Sequence, residues 1–329
     1  MMRGAHIVAF GLAAASACGG GRGAQVPATS EAPPATVSER LLAMLPQGAQ
    51  VVVELDLARL RANPVVGAVV TRALAGRTGE VAGVPAPPLA VADQLVLAAY
   101  GVGTAQAATL TVLAAPHDIA GAIRLADGYY AVGPPEWVEQ VQQRTALAGT
   151  GDSAFAIRAA PELLALRGHA MPAGAPGASL RVTARLPFDA RISLARQTGI
   201  DAAPAQVSAW GDVVDDLALV IDCDAADPGG AAGGRRGDPA RRLEATLRGA
   251  LATVADQPAI RRLGLPSSLA GARLIARGTW VRMILAIGPA HLRRVVERAA
   301  GLLGEPGAGP AGPPAPPPPE ATPRGDPPP

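Results

Sequence analysis

The sequence predicts an α+β fold made of two related halves, with a mainly antiparallel sheet and helices on one face. Three observations carry that prediction. First, Gly271–Leu303 reads as a β-hairpin running into an amphipathic helix. Its strands, Ala272–Arg277 and Trp280–Ile287, flank Gly278-Thr279, where Gly supplies the positive φ of a tight turn. On the second strand Val281, Met283, Leu285 and Ile287 alternate onto one face. Pro289 opens a helix where a missing N–H costs nothing, and Leu292, Val295, Val296, Ala299 and Leu302 recur at helical spacing. That helix is expected to fold back over the hairpin. Second, Ala131-Val132-Gly133-Pro134, followed by Trp137, Val138 and Val141, echoes Ala286-Ile287-Gly288-Pro289 and its helix. Third, successive strands are joined by short loops, which favours antiparallel pairing, and the helices between them favour one covered face.

The first half is placed at residues 37–170. Thr36-x-x-Glu39 is a capping box for a short helix bearing Leu41, Leu42 and Leu45. Val51–Leu55 is an apolar strand interrupted by Glu54, and Asn63-Pro64 starts a helix through Leu74 with four inward valines. Strands follow near Leu95–Tyr100 and Thr109–Ala114, then a helix over Asp118–Ala126, a strand at Tyr129–Val132 and the Pro134 helix to Leu147. Phe155–Ile157 and Pro161–Arg167 read as one more strand and helix. The second half, residues 178–303, repeats the order. It has a strand at Leu180–Leu186, a helix at Phe188–Arg196, and strands at Gln206–Trp210 and Leu217–Asp222. Asp238 and Pro239 then open a helix with a Leu243, Leu247, Leu251 and Val254 stripe, ahead of the hairpin. Each half thus reads strand–helix–strand–strand–helix–strand–helix.

Of the 329 residues 49% are apolar, enough for a sizeable core. A net charge of +2 and 3% aromatic residues argue against nucleic-acid binding, which needs a concentrated basic surface and stacking rings. The basic side chains are all Arg; lysine is absent. Residues 304–329 are dominated by Pro, Gly and Ala. Such a segment buries too little apolar surface to repay ordering, so a disordered tail with polyproline-II character is expected there. It is a candidate contact for an envelope protein partner.

At the N-terminus Arg3 precedes the apolar run Ile7–Ala17, which is too short to span a bilayer and suits a signal-peptide core. The run ends in Ala15-Ser16-Ala17-Cys18, followed by three glycines. Over about the first twenty residues the chain resembles bacterial lipoprotein precursors, with Ala15 standing where their lipobox usually carries Leu. The resemblance implies removal of residues 1–17, lipidation of Cys18, and residues 18–36 as anchor and flexible tether. It also implies a partner in the membrane itself and a place in the cell envelope, at the outer membrane and facing the periplasm or exterior. Ala15-x-Ala17 equally fits ordinary secretory cleavage, which would leave the chain soluble in the periplasm or secreted. If Cys18 is acylated, Cys223 has no partner; alternation places it among Leu217, Leu219 and Ile221 as a core residue.

Complete chemical motifs are lacking. His117, His169 and His291 show no metal-ligand spacing, so neither a metal nor a cofactor is expected. Gly101-Val102-Gly103 joins strand to strand, unlike a dinucleotide loop, and Gly229–Gly237 lacks the Lys-Ser/Thr ending of a phosphate loop. Ser153 lacks the downstream Gly of a nucleophile elbow. Two Arg-Gly-Asp triplets, at Arg236 and Arg324, fit chance in this composition. The acids Asp215, Asp216, Asp222 and Asp224 bracket one strand. The leading expectation is therefore a non-enzymatic binding or scaffolding module on a lipid anchor. One alternative is a carrier holding an apolar ligand between sheet and helices. A second is a hydrolase pairing Asp215, Asp222 or Asp224 with His117 or His291.

Overall fold

The computed structural model describes residues 36–75, 80–81, 84–148, 161–172, 177–198, 203–225 and 239–303. The signal segment, Cys18 and most of the tether, Ser153, the Phe155–Ile157 strand, the Gly229–Gly237 loop, both Arg-Gly-Asp triplets and the tail fall outside these residues in whole or part.

Thr36 caps α1 (Val37–Met44) with the full reciprocal box: its hydroxyl accepts from the Glu39 N–H and the Glu39 carboxylate from the Thr36 N–H. Strand β1 (Val51–Asp56) leads straight into α2 (Leu57–Ala62), capped by the Asp56 carboxylate, and α3 (Gly67–Ala75) follows. The ministrands β2 (Glu80–Val81) and β3 (Val84–Pro85) and the helix α4 (Ala86–Val91) precede β4 (Gln94–Tyr100) and β5 (Ala108–Ala114). A hairpin of β6 (Ile123–Ala126) and β7 (Tyr129–Val132) then runs into α5 (Pro135–Ala148). After α6 (Pro161–Arg167) come β8 (Leu180–Arg185), α7 (Phe188–Thr198), β9 (Gln206–Val213) and β10 (Leu217–Asp224). Three helices follow, α8 (Pro239–Ala255), α9 (Pro258–Leu263) and α10 (Pro266–Ala270). The chain closes with β11 (Arg273–Arg277), β12 (Trp280–Ile287) and α11 (Pro289–Leu302).

The fold is α+β. Ten strands form one antiparallel sheet in the order β11-β12-β10-β9-β8-β1-β4-β5-β7-β6. Read outward from the β1–β8 junction, both halves lay down their strands in the same sequence, which is the internal duplication. Position for position, α1 and α6 correspond, each preceding the first strand of its half.

Helices cover both faces, more than a single face, because β4 is apolar on both sides. Val96 and Ala98 face α1 and α5, together with Val52, Leu110, Val112, Val138 and Val141. Leu95 and Leu97 point the other way, toward Leu57 of α2 and Leu89 of α4. That second face continues through the register Val53↔Val182↔Ala209↔Ile221↔Met283 to the core under α8 and α10, with Leu243, Leu251 and Leu269. Cys223 lies in this core, as the alternation predicted.

Three local expectations are corrected. Asp118–Ala126 is not a helix, since Ile123–Ala126 is the edge strand β6. Asp127-Gly128 makes its hairpin turn, with Gly128 at φ +76°. The helix expected from Asn63 starts at Gly67, and Asn63 instead ends α2 while its side chain accepts from the Val65 and Val66 N–H groups. Finally, α11 does not cover the hairpin. The α8–α10 insertion already occupies that face, so α11 packs on α9 and α3, held by His291 Nε2 2.9 Å from the Gly264 carbonyl.

Two substitutions test these placements. Val281 is fully buried, so Val281→Asp places an unpaired charge in the core and should abolish the cooperative thermal transition. Gly67→Ala should lower stability by more than about 1 kcal/mol despite the better helix propensity of Ala, because its Cβ would meet the Arg61 carbonyl oxygen at 2.2 Å.

Candidate functional site

The most polar part of the interior lies on the first face, where the two halves meet. Glu54 is the one acid in the apolar run of β1, and it faces Val96 on one side and Arg181 on the other. It is 5% exposed and cannot remain unpaired there. Arg167, in the last turn of α6, grips it in a two-point bond, Nε to Oε1 at 2.6 Å and Nη2 to Oε2 at 2.8 Å. The Ser38 hydroxyl, from the first turn of α1, donates to Oε2 at 2.5 Å. Burial disfavours the Arg167 charge, but the bond and charge of Glu54 outweigh it and raise its pKa. Arg181 fares differently. Burial and the neighbouring Arg167 charge lower its pKa, and Glu54 and Glu39 offset only part of this. Among the described residues its side chain bonds to the Met171 sulfur, at 3.8 Å.

Beside this group a cleft opens between α1 and α6. Leu42, Leu45 and Ala49 form one wall, Leu163 and Leu164 the other, and Val52, Glu54 and Thr183 the floor, with Arg167 at the polar end. The space within it that water can occupy is about 40 Å³.

A second ion pair ties the halves together at the end of β1. Asp212 of β9 accepts from Arg59 Nε at 2.8 Å and Nη2 at 2.5 Å, and from the Ser179 hydroxyl at 2.6 Å. Burial alone would raise the Asp212 carboxyl; the Arg59 and Ser179 bonds and the Arg59 charge outweigh it and hold it below its ordinary value. Asn63 Nδ2 adds bonds to the Val213 and Val214 carbonyls.

The third group involves the acids singled out in the sequence. Asp222, 1% exposed on β10, accepts from Arg282 Nε at 2.8 Å and Nη2 at 2.6 Å. Its Oδ2 also lies 2.7 Å from His169 Nδ1. The His169 ring stacks on Trp280 at 3.9 Å between centroids, and Arg282 Nη2 also bonds the His169 carbonyl. The histidine at Asp222 is therefore neither of the two the hydrolase alternative named. His291 binds Ser268 and Gly264 beneath α11, on the other face, and His117 is exposed in the β5–β6 connection. Asp215 and Asp216 sit in the turn at the opposite end of β10 from Asp224. Burial, helped by Asp222, pushes the Cys223 thiol up to about 12. Among the described residues, no group of three or more His, Cys, Asp or Glu side chains converges on a metal site.

Sequence reasoning missed the Glu54–Arg167 and Asp212–Arg59 pairs. A single acid inside Val51–Leu55 was the visible signal for the first; its partner, 113 residues away, leaves no local pattern.

No family model matches the chain, and neither does any curated protein. Among solved structures it is similar to TP0453, in crystal form III at 7% identity and a TM-score of 0.40. Crystal form I matches at 6% identity and a TM-score of 0.37. Each alignment covers 78% of this chain and 96% of the other. A likeness of this size bears on neither ligand nor partner.

Glu54→Ala should cost about 3–5 kcal/mol in chemical denaturation, because it strands a buried guanidinium, and Glu54→Leu with Arg167→Leu should recover much of the loss. The Asp212 carboxyl has a lower pKa folded than unfolded, so its contribution is complete above the unfolded value of 3.8 and fades as pH falls through the folded one. Asp212→Asn should therefore melt below the wild type at pH 7, and the gap should narrow below about pH 4.

Proposed function

We propose that this protein is a lipid-anchored cell-envelope protein whose duplicated α+β domain is a non-catalytic binding or scaffolding module. The observation that carries the reading is the apolar run Ile7–Ala17 ending in Ala15-Ser16-Ala17-Cys18, set ahead of a Gly-, Ala- and Pro-rich spacer. The capping box at Thr36 starts the folded part where that spacer ends, which suits an anchor-and-tether arrangement. Two or more acyl chains on Cys18, at about 0.8 kcal/mol per buried methylene, would hold the domain on a membrane without a spanning helix. Among the described residues, no helix is long and apolar enough to cross one.

The interior acids support the non-catalytic side. Glu54, Asp212 and Asp222 each accept from an arginine already, an arrangement that joins secondary elements and leaves their oxygens engaged. The Pro-rich segment 304–329 is a second route to an envelope partner.

Intact-mass measurement on the chain from its native membrane fraction tests the anchor. The expected result is loss of residues 1–17 and a diacylglyceryl-type addition on Cys18. Cys18→Ser should move the chain to the soluble fraction. An unacylated wild-type chain in the soluble fraction would overturn the reading.

A further inference from the structure

We propose that β11, the outer strand of the second half, takes an added antiparallel strand from a partner protein, one carrying a carboxylate on each side of a short apolar run. The inference names the docking surface within the binding-module reading and rests on that reading, independently of the lipid anchor.

The ten-stranded sheet ends in two edges, β6 and β11, and they are built differently. β6 is closed to addition by devices that proteins commonly use. It has four residues, its register against β7 slips between Arg124 and Ala126, and Arg124 is held by Asp127 at 2.6 Å and Asp118 at 3.7 Å. β11 has five residues in unbroken register with β12, from Arg273↔Ile284 to Arg277↔Trp280. Where its backbone points follows from the next strand. The Ala225 N–H donates to the Thr279 carbonyl, and β10 sets Cys223 against Val281 and Ile221 against Met283. Val281 and Met283 therefore turn their backbone polar groups toward β10. Trp280, Arg282 and Ile284 turn theirs to Arg277, Ile275 and Arg273, which leaves the N–H and C=O groups of Leu274 and Ala276 aimed outward. Among the described residues nothing on that side bonds to them. A regular, open row of this kind is what strand addition uses.

Side chains along the edge select the strand that fits. Arg273, Ile275 and Arg277 share one face, and both arginines are exposed. Among the described residues neither guanidinium has an acid to pair with, whereas Arg282, across from Ile275, is committed to Asp222. A second copy paired along the whole strand would set each Arg273 opposite an Arg277, and like charges directly opposite oppose pairing. A strand with Glu or Asp facing the two arginines and an apolar residue facing Ile275 gains there instead. Its two intervening residues fall on the other face, beside Leu274 and Ala276, which pack on the core under α8. The fitting chemistry is acidic–apolar–apolar–apolar–acidic.

Fluorescence polarisation with the full-length Cys18→Ser chain, purified without detergent, tests this. The probe is the dye-labelled, end-capped heptapeptide Ser-Glu-Val-Val-Val-Glu-Ser. It should bind one per chain, and its counterpart with Lys for Glu should bind weaker by about tenfold or more. Methylating the backbone nitrogens of the outer two valines, which face the edge, should abolish binding; methylating the middle one should not. Arg273→Glu with Arg277→Glu should reverse the preference between the two peptides, a result that an unfolded chain could not give. Ala276→Pro removes an outward N–H and no bond to β12, and should weaken the acidic peptide by about tenfold, with thermal unfolding confirming that it folds. Absence of saturable binding by the acidic peptide, equal affinity for the two peptides, or indifference to backbone methylation would each overturn the inference. A dimer of the free chain that Ala276→Pro abolishes would give the edge to a second copy and overturn it as well. Because Cys18 is already replaced, these outcomes are separate from the fate of the anchor.

Discussion

Five backbone pairs, Val51↔Ala184 to Leu55↔Leu180, join two half-sheets into one, and most of the architecture hangs on that seam. A ladder this short is weak by itself, since strand pairing is stabilised mainly by side chains packed on its faces. The seam is therefore reinforced by contacts between residues far apart in sequence. Glu54–Arg167 closes over it on the first face, while Arg59–Asp212 and the Asn63 amide bind its end, and α3 meets α11 on the second face. The ion pairs are costly to separate without exposing them to water, because each partner would be left as a buried charge. This links the halves energetically, and the chain should open as one unit.

Repetition of the strand order has not kept the helices alike. In the first half a short loop at 115–122 links β5 to the edge hairpin; in the second, α8, α9 and α10 fill that place. They cover the hairpin and displace the closing helix. As a result α5 and α11, which follow the same Gly-Pro step, pack on opposite faces, with Val138 in one core and Leu292 in the other. Arg298 of α11 sits so close over the left-handed Gly264 that a Cβ there would lie 1.6 Å from Nη1. That contact is with the exposed, movable end of the Arg298 side chain; what glycine supplies at 264 is the left-handed turn, at φ +76°, that ends α9.

The parts of this fold legible in the sequence were those set by neighbours in the chain. The capping box at Thr36, the Gly278 turn, the alternation of β12 and the strand ends at Tyr129–Val132 all follow from local chemistry. Asp118 reads as a helix start, but Asp127-Gly128 further on is the stronger signal and makes Ile123–Ala126 an edge strand. The short α2, α9 and α10 span too few residues to show helical periodicity. The polar site was largely hidden. Asp222 stands out in the sequence beside its acidic neighbours, but His169 reaches it across 53 residues and Arg282 across 60, distances at which only the folded sheet sets who meets whom.

The core thiol carries one more consequence. Cys223 lies 3% exposed beneath α8, and its proton is held well beyond neutral pH, so neither reagents nor oxidants find a thiolate in the folded state. Chemistry at this sulfur must wait for the sheet and its helical cover to part. Its rate of alkylation is then a clock for that opening, read with a thiol reagent at ordinary temperature, and it measures how often the linked halves come undone.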